Sequence, residues 1–231
     1  MKPTLTREFI ADVLSRSILD PRGRALYDLC FFHRHHLKDE LVADKLRLIG
    51  RLYAEYGAGL GFSPELGAHC LAKSPVDRWF SALSTAEQLD GWLLLELHKR
   101  VMDVFADLPE GEARSLASKY LHFHFPELFC IYDSRVEGAV QAMGEGDCGF
   151  LAIGEHDPVY GRFHAGCRKL ADRLAPVIGR RPSPRELDRV LRAWLDLEEA
   201  GYKGQAARYD VAVPMPAMAS TLSAISLATA A

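Results

Sequence analysis

Apolar residues recur at helical spacing through most of the chain. Ile49, Leu52, Tyr53 and Tyr56 fall at i, i+3, i+4 and i+7, one stripe of a helix. Leu89, Trp92, Leu93, Leu97, Val101 and Val104 predict a strongly apolar helix, and Tyr160, Phe163, Cys167, Leu170, Leu174 and Ile178 a long one. Val136, Ala139, Val140 and Met143 repeat the spacing after Asp133. Leu187, Val190, Leu191, Trp194 and Leu195 mark the buried face of a last helix. No stretch sustains the period-two alternation of a half-buried strand. The pattern predicts an all-α protein. Residues 1–209 form one compact multi-helix domain, or two helical subdomains over about 1–88 and 89–209.

Polar residues and breakers punctuate these stripes. Thr6 can cap a helix reaching Ile18, and Ser63-Pro64 opens a short segment. Ser183 with Glu186 three residues on is a capping box, because each side chain reaches the other's backbone N–H. Asp20-Pro21-Arg22-Gly23 predicts a turn, Gly57 to Gly61 a C-cap and turn, Gly144 to Gly149 a loop, and Gly179 to Pro184 a connector. The apolar helix after Leu89 is expected to end at Leu108-Pro109-Glu110-Gly111-Glu112-Ala113. A second helix then runs from Arg114 to about Phe125, where Pro126 breaks it. A short extended stretch reaches Ile131, and Asp133 opens a third helix. After Asp210 no charged residue appears, and Ala, Ser, Thr and Met dominate to Ala231. Side chains so small bury little area, so the tail, 210–231, is expected to be disordered.

Composition narrows the function classes. The chain has 231 residues, 48% hydrophobic and 26% charged, the balance of an ordinary globular protein. A net charge of -3 excludes a basic nucleic-acid coat. Between Val159 and Trp194, however, nine Lys/Arg stand against Asp172, Glu186 and Asp188. Such a local basic face suits phosphate contacts; the alternative is a solvated helix surface. Five cysteines without C-x-x-C spacing argue against a disulfide scaffold and fit a reducing compartment. Met1-Lys2-Pro3-Thr4 carries no apolar signal region, and no run of ~18 apolar residues exists. A cytoplasmic location and no membrane partner are expected.

Several chemistries lack their motifs. There is no G-x-x-x-x-G-K-[ST] loop and no G-x-S-x-G elbow. Of His33, His35 and His36, only His33 and His36 share a helix face, and no third ligand is matched to them, so no metal is expected. His122 and His124 diverge by about 200° on a helix, which puts one of them in the core. Cys130 has no evident base and reads as a small buried hydrophobe.

One segment carries more. Leu108-Pro109-Glu110-Gly111 precedes Ala117-Ser118-Lys119-Tyr120-Leu121, and Ile131-Tyr132-Asp133 follows. These residues resemble the helix–hairpin–helix DNA glycosylase superfamily, which includes the endonuclease-III-like enzymes and the 8-oxoguanine glycosylases. Its hairpin commonly reads Leu-Pro-Gly-x-Gly, and its catalytic Asp follows a short apolar run at a helix start. The small 8-oxoguanine glycosylases carry Ala-Ser-His-Phe-Leu where this chain has Ala117 to Leu121. The wider segment also looks like uncharacterised bacterial helical proteins that share an SKYLHF…IYDSR signature. Glu110 and Glu112 stand where the hairpin glycines usually do, and the iron–sulfur cysteines of some members are absent.

The resemblance implies a hydrolase that extrudes a damaged or modified base from duplex DNA and cleaves its bond to the sugar, with no cofactor. Asp133 then stabilises the cation growing on the sugar and activates water; read from the residues alone it is equally an N-cap, and one Asp can do both. The superfamily's nucleophilic lysine would fall near Arg114 or Ser115, so a monofunctional enzyme is preferred. Lys119 lies a full turn later and reaches a site only if the helix is shifted; otherwise it is a surface lysine. Gly111, Arg114, Ser115, Arg135 and Arg181 are candidate DNA contacts. Tyr132, Tyr120 and Trp92 are candidates for stacking on the extruded base, or core residues. The alternative function is a non-catalytic helical module that binds DNA or protein on the same scaffold.

Overall fold

In the computed structural model, residues 5–16, 21–53, 63–85, 91–145 and 155–199 are described. They form α1 (Arg7–Ser15), α2 (Pro21–Phe32), α3 (Asp39–Tyr53), α4 (Pro64–Lys73), α5 (Val76–Thr85) and α6 (Gly91–Val104). The chain continues as α7 (Glu110–His124), α8 (Ser134–Val140), a π-helical turn over Gln141–Glu145, α9 (Pro158–Ile178) and α10 (Pro184–Glu199). Every element is helical, and no strand occurs among the described residues, as the periodicity predicts.

Helix starts sit where a polar side chain can satisfy free N–H groups. Thr6 accepts from Phe9 N–H at 3.2 Å, Ser63 from Leu66 N–H at 3.3 Å, Asp133 from Val136 N–H at 2.8 Å and Asp157 from Tyr160 N–H at 2.6 Å. The capping box closes as expected: Glu186 N–H donates to Ser183 Oγ at 3.3 Å, and Ser183 N–H to the Glu186 carboxylate at 3.0 Å. Gly179 ends α9 at φ 86°, a left-handed conformation that strains any residue with a Cβ.

Several expectations are corrected. The helix capped by Thr6 stops at Ser15, where Arg16 is extended, short of Ile18. Gly144 and Glu145 belong to a π-helical turn rather than to a loop. Pro21-Arg22-Gly23 is the first turn of α2 rather than a loop, because proline at the first helical position loses no hydrogen bond. The helix expected from Arg114 begins at Glu110, so the turn is Phe105–Pro109 and Gly111 lies inside the helix. Pro109 presets the entry (φ -51°), and two glutamates favour the positive end of a helix dipole. Both His122 and His124 are buried, not one. Leu195 is only partly buried, at the edge of its stripe. Ile18, Tyr56, Leu89, the glycine-rich 57–61 segment, the loop over 146–149 and the 210–231 tail lie outside the described residues.

Burial falls in two clusters. One joins α2 to α7 around Leu26, Leu46, Leu71, Tyr120 and Phe129. The other joins α1, α8, α9 and α10 around Ile10, Val136, Leu170 and Val190, and takes Leu95 from α6. The clusters do not divide the chain at one point, since α1 joins the C-terminal helices. Arg189 of α10 clasps α1 by donating to the Val13 carbonyl at 2.6 Å. No helix among the described residues is long and apolar enough to cross a membrane.

Candidate functional site

The seam between these clusters brings together charged groups from three helices and a tyrosine ring from a fourth. Asp133 stands at the N-terminus of α8, held by the Val136 N–H. One turn of α7 carries Ser115 and Lys119 at i, i+4, so the two side chains meet, and the Lys119 ammonium donates to Ser115 Oγ at 2.8 Å. Ser115 Oγ in turn donates to the Tyr132 carbonyl at 3.1 Å, one residue before Asp133. α10 adds Asp188 and Arg192, a second i, i+4 pair, with Arg192 Nε 2.9 Å from the Asp188 carboxylate. An Arg192 Nη lies 3.6 Å from Asp133. α3 contributes Tyr53, whose ring covers both cations, Lys119 at 4.3 Å and Arg192 at 4.9 Å from its centre.

Charge here is strongly perturbed. Lys119 is only 4% exposed. Burial pulls its ammonium down to about 8, with Asp133 and Asp188 opposing and Arg192 adding to the fall. Arg192 moves the other way: burial opposes its charge, but Asp188, then Tyr53 and Asp133, more than offset it. Burial, with Asp188 next, pushes the neighbouring Tyr27 hydroxyl far above its ordinary range, and that hydroxyl lies 2.6 Å from His122 Nε2. Burial is one way in which amine nucleophiles are made at neutral pH, and here it outweighs the two carboxylates that favour the charged form.

No family model matches the chain, and neither does any curated protein or solved structure. Among the described residues no group of three or more His, Cys, Asp and Glu is placed to hold a metal.

The residues singled out from sequence divide. Asp133, Lys119 and Ser115 meet in this site. Lys119 is neither at the surface nor out of reach: it is buried and linked through Ser115 to the residue before Asp133. Tyr132 borders the site through its backbone, while its hydroxyl donates to Glu137 at 2.7 Å and its ring meets Phe163 edge-on. Arg114 points elsewhere, making two 2.8 Å bonds to the buried Asp157 carboxylate. Tyr120 is fully buried, 2.7 Å from His36 Nε2. Trp92 sits beside His156. Arg135 lines a separate recess with Trp194 and Glu198, and Arg181 pairs with Asp172 at 2.8 Å. Sequence reasoning missed Tyr53, Asp188 and Arg192. The Asp188–Arg192 spacing was visible, but only folding shows that it faces Asp133.

Beyond Tyr27 opens a polar basin of about 650 Å³, with Arg16, Arg24, Arg180, Arg185 and Arg189 against Asp28, Glu127 and Glu186. The Arg185 guanidinium lies 4.2 Å over the Tyr27 ring. The basic segment foreseen from Val159 to Trp194 thus contributes Arg180, Arg185 and Arg189 to this basin.

Proposed function

We propose that the protein is a DNA glycosylase-like enzyme that breaks the N-glycosidic bond of a damaged or modified base. The observation that carries this reading is the buried Lys119–Ser115–Asp133 group, in which an amine with a lowered proton affinity stands beside a helix-capping carboxylate. On this reading the neutral Lys119 nitrogen attacks the anomeric carbon as the bond to the base breaks. The base departs with the bonding electrons and takes up a proton from solvent. The Lys119 nitrogen passes its surplus proton to Asp133 or to water. The bond from the anomeric carbon to the ring oxygen then breaks, and that oxygen takes up a proton. The resulting imine between Lys119 and the opened sugar is later hydrolysed by water. Asp133 stabilises the positive charge growing on the sugar before either bond is complete. Lys119 thereby replaces water as the preferred nucleophile, because burial supplies the neutral amine that a surface lysine lacks. Tyr53 must swing aside for a sugar to reach Lys119, and the arginine basin beyond Tyr27 is the natural seat for the flanking phosphates.

The test is base excision on duplexes carrying oxidised, deaminated, alkylated or hypermodified bases, with alkali revealing abasic sites and borohydride trapping any amine-linked sugar. Cleavage lost in Asp133→Asn, with trapping lost in Lys119→Ala, is the expected result. Clear, salt-sensitive DNA binding without cleavage would replace the enzyme by a helical binding module, the reading under which the same charges only join four helices. Neither cleavage nor binding would remove nucleic acid altogether.

A further inference from the structure

A second charged cavity lies away from Lys119 and Asp133. It encloses about 410 Å³ between α9, the α9–α10 connector and the chain around Cys130, a size in the range of small-molecule sites. One face is a stripe of α9. His164, Cys167, Arg168 and Ala171 recur at helical spacing along it. Cys130 faces them from the segment after α7.

Two features of this lining are not explained by folding. His164 is only 6% exposed, yet neither of its ring nitrogens makes a hydrogen bond of ordinary geometry. Buried polar groups are rarely left so, because each unmade bond costs about 1–3 kcal/mol. Arg168, one turn further on and exposed, makes no ion pair among the described residues. Its guanidinium passes close to Gly91, where an added Cβ would stand 3.0 Å from its Nη1. Arg180 and Arg181 also line the cavity but are engaged by Glu186 and Asp172, and Glu127 is the one lining carboxylate among the described residues. With those two arginines paired, Arg168 is the cation of the lining left without an ion pair among the described residues. The thiol pair fits the same picture: the Cys167 thiol and the His164 ring beside it pull the Cys130 thiol below its ordinary range, against burial.

We propose that this cavity binds a small organic oxyanion, a carboxylate or a phosphate monoester, with Arg168 holding the anionic group and His164 completing its hydrogen bonds at the floor. The occupant supplies the well-formed hydrogen bond that His164, with only the Cys130 thiol beside it, does not make, and a counter-charge that Arg168 does not find among the described residues. The proposal does not use Lys119, Ser115 or Asp133, and Arg168 and His164 line this cavity alone, although Glu127, Arg180 and Ser183 also border the arginine basin.

Iodoacetate is itself a small organic carboxylate, and iodoacetamide is its neutral twin. Both alkylate the same thiolate, which displaces iodide, so the ratio of their rates at one cysteine cancels that cysteine's proton affinity and leaves the pull on negative charge. Peptide mass spectrometry on the full chain would read this ratio at Cys130 and Cys167, with the partly exposed Cys70 as reference. The ratio at the cavity cysteines is expected to exceed that at Cys70 by roughly tenfold. It should fall to the Cys70 value in Arg168→Ala, whose unchanged iodoacetamide rate shows an intact cavity. Inorganic phosphate and acetate form the second arm, each against potassium chloride at equal ionic strength. Saturable protection by phosphate alone assigns a phosphate ligand, and by acetate alone or by both a carboxylate-tolerant site. A ratio equal to that at Cys70, a ratio unmoved by Arg168→Ala, no labelling of either cavity cysteine, or protection no better than chloride would each overturn the proposal.

Discussion

Lys119 shows at the scale of one residue how a site costs stability. Its ammonium is favoured in the unfolded chain, where its proton affinity is the ordinary 10.5, over the folded one, where burial brings it to about 8. Below about 8 the folded state bears the full cost of the buried charge, and the cost fades as pH rises from there to 10.5, where both states are neutral. Lys119→Met removes that charge and keeps an unbranched apolar stem. It is therefore expected to stabilise the protein at pH 7 by on the order of 1–3 kcal/mol while abolishing base excision. The stability gap should close towards pH 10.5, a trend that thermal melts of both proteins across pH would measure. A variant less stable at pH 7 would mean that the Ser115 bond and the Tyr53 contact outweigh desolvation, and Lys119 would then be structural. Asp133→Asn separates differently: it keeps an N-cap side chain, so it is expected to melt within about 1 kcal/mol of the parent while losing excision.

Elements explain why some candidates were legible in the sequence and others were not. Asp133, Ser183 and Glu186 act on N–H groups within three residues of themselves, so spacing alone finds them. Lys119 and Ser115 follow once α7 is known to be a helix, because i, i+4 fixes their contact. The start of α7 was misjudged for a local reason, since Gly111 reads as a hairpin residue while Pro109 and the glutamates around it favour a helix. The engagement of Arg114 was not legible for a long-range one. Its partner, Asp157, lies 43 residues away at the cap of α9, and no periodicity links the two. That pair joins two elements: Asp157 accepts both Arg114 bonds and also the Tyr160 N–H at 2.6 Å, so it holds α7 and starts α9 together. Arg114→Ala leaves a carboxylate 2% exposed with its guanidinium partner gone, which is expected to cost about 3–5 kcal/mol. Arg114→Ala/Asp157→Ser removes the stranded charge yet retains a capping oxygen, and should recover much of that loss in urea melts. If the single variant instead melts normally but binds DNA weakly, Arg114 reaches nucleic acid after all.

Across the whole molecule, four of the buried histidines, His36, His98, His122 and His124, set the response to acid. His98 is held neutral down to about 3, first by burial. Burial likewise lowers His36, His122 and His124, and Lys45, 3.0 Å from His124 Nε2, disfavours charge there further. The Asp77 carboxylate pulls His36 the other way without overcoming burial. In the unfolded chain all four titrate near 6.5. As pH falls through that value the unfolded state takes up protons that the folded state refuses, so stability falls with pH. At full engagement four such sites give a slope of about 5 kcal/mol per pH unit, comparable to the whole stability of a small domain. The urea midpoint is therefore expected to drop steeply between pH 7 and 5, well before most carboxylates protonate. His98 offers the cleanest control. Its ring stacks on Tyr160 with centres 3.6 Å apart, and its Nδ1 makes no hydrogen bond. His98→Phe keeps the stack, gives up the 3.2 Å bond to the Arg114 carbonyl, and removes one titrating site. Its midpoint should depend on pH less steeply by about one proton, whatever its absolute stability. A midpoint flat from pH 7 to 5 in the parent would mean that these rings take up protons without unfolding, and the buried histidines would then be charge carriers rather than core.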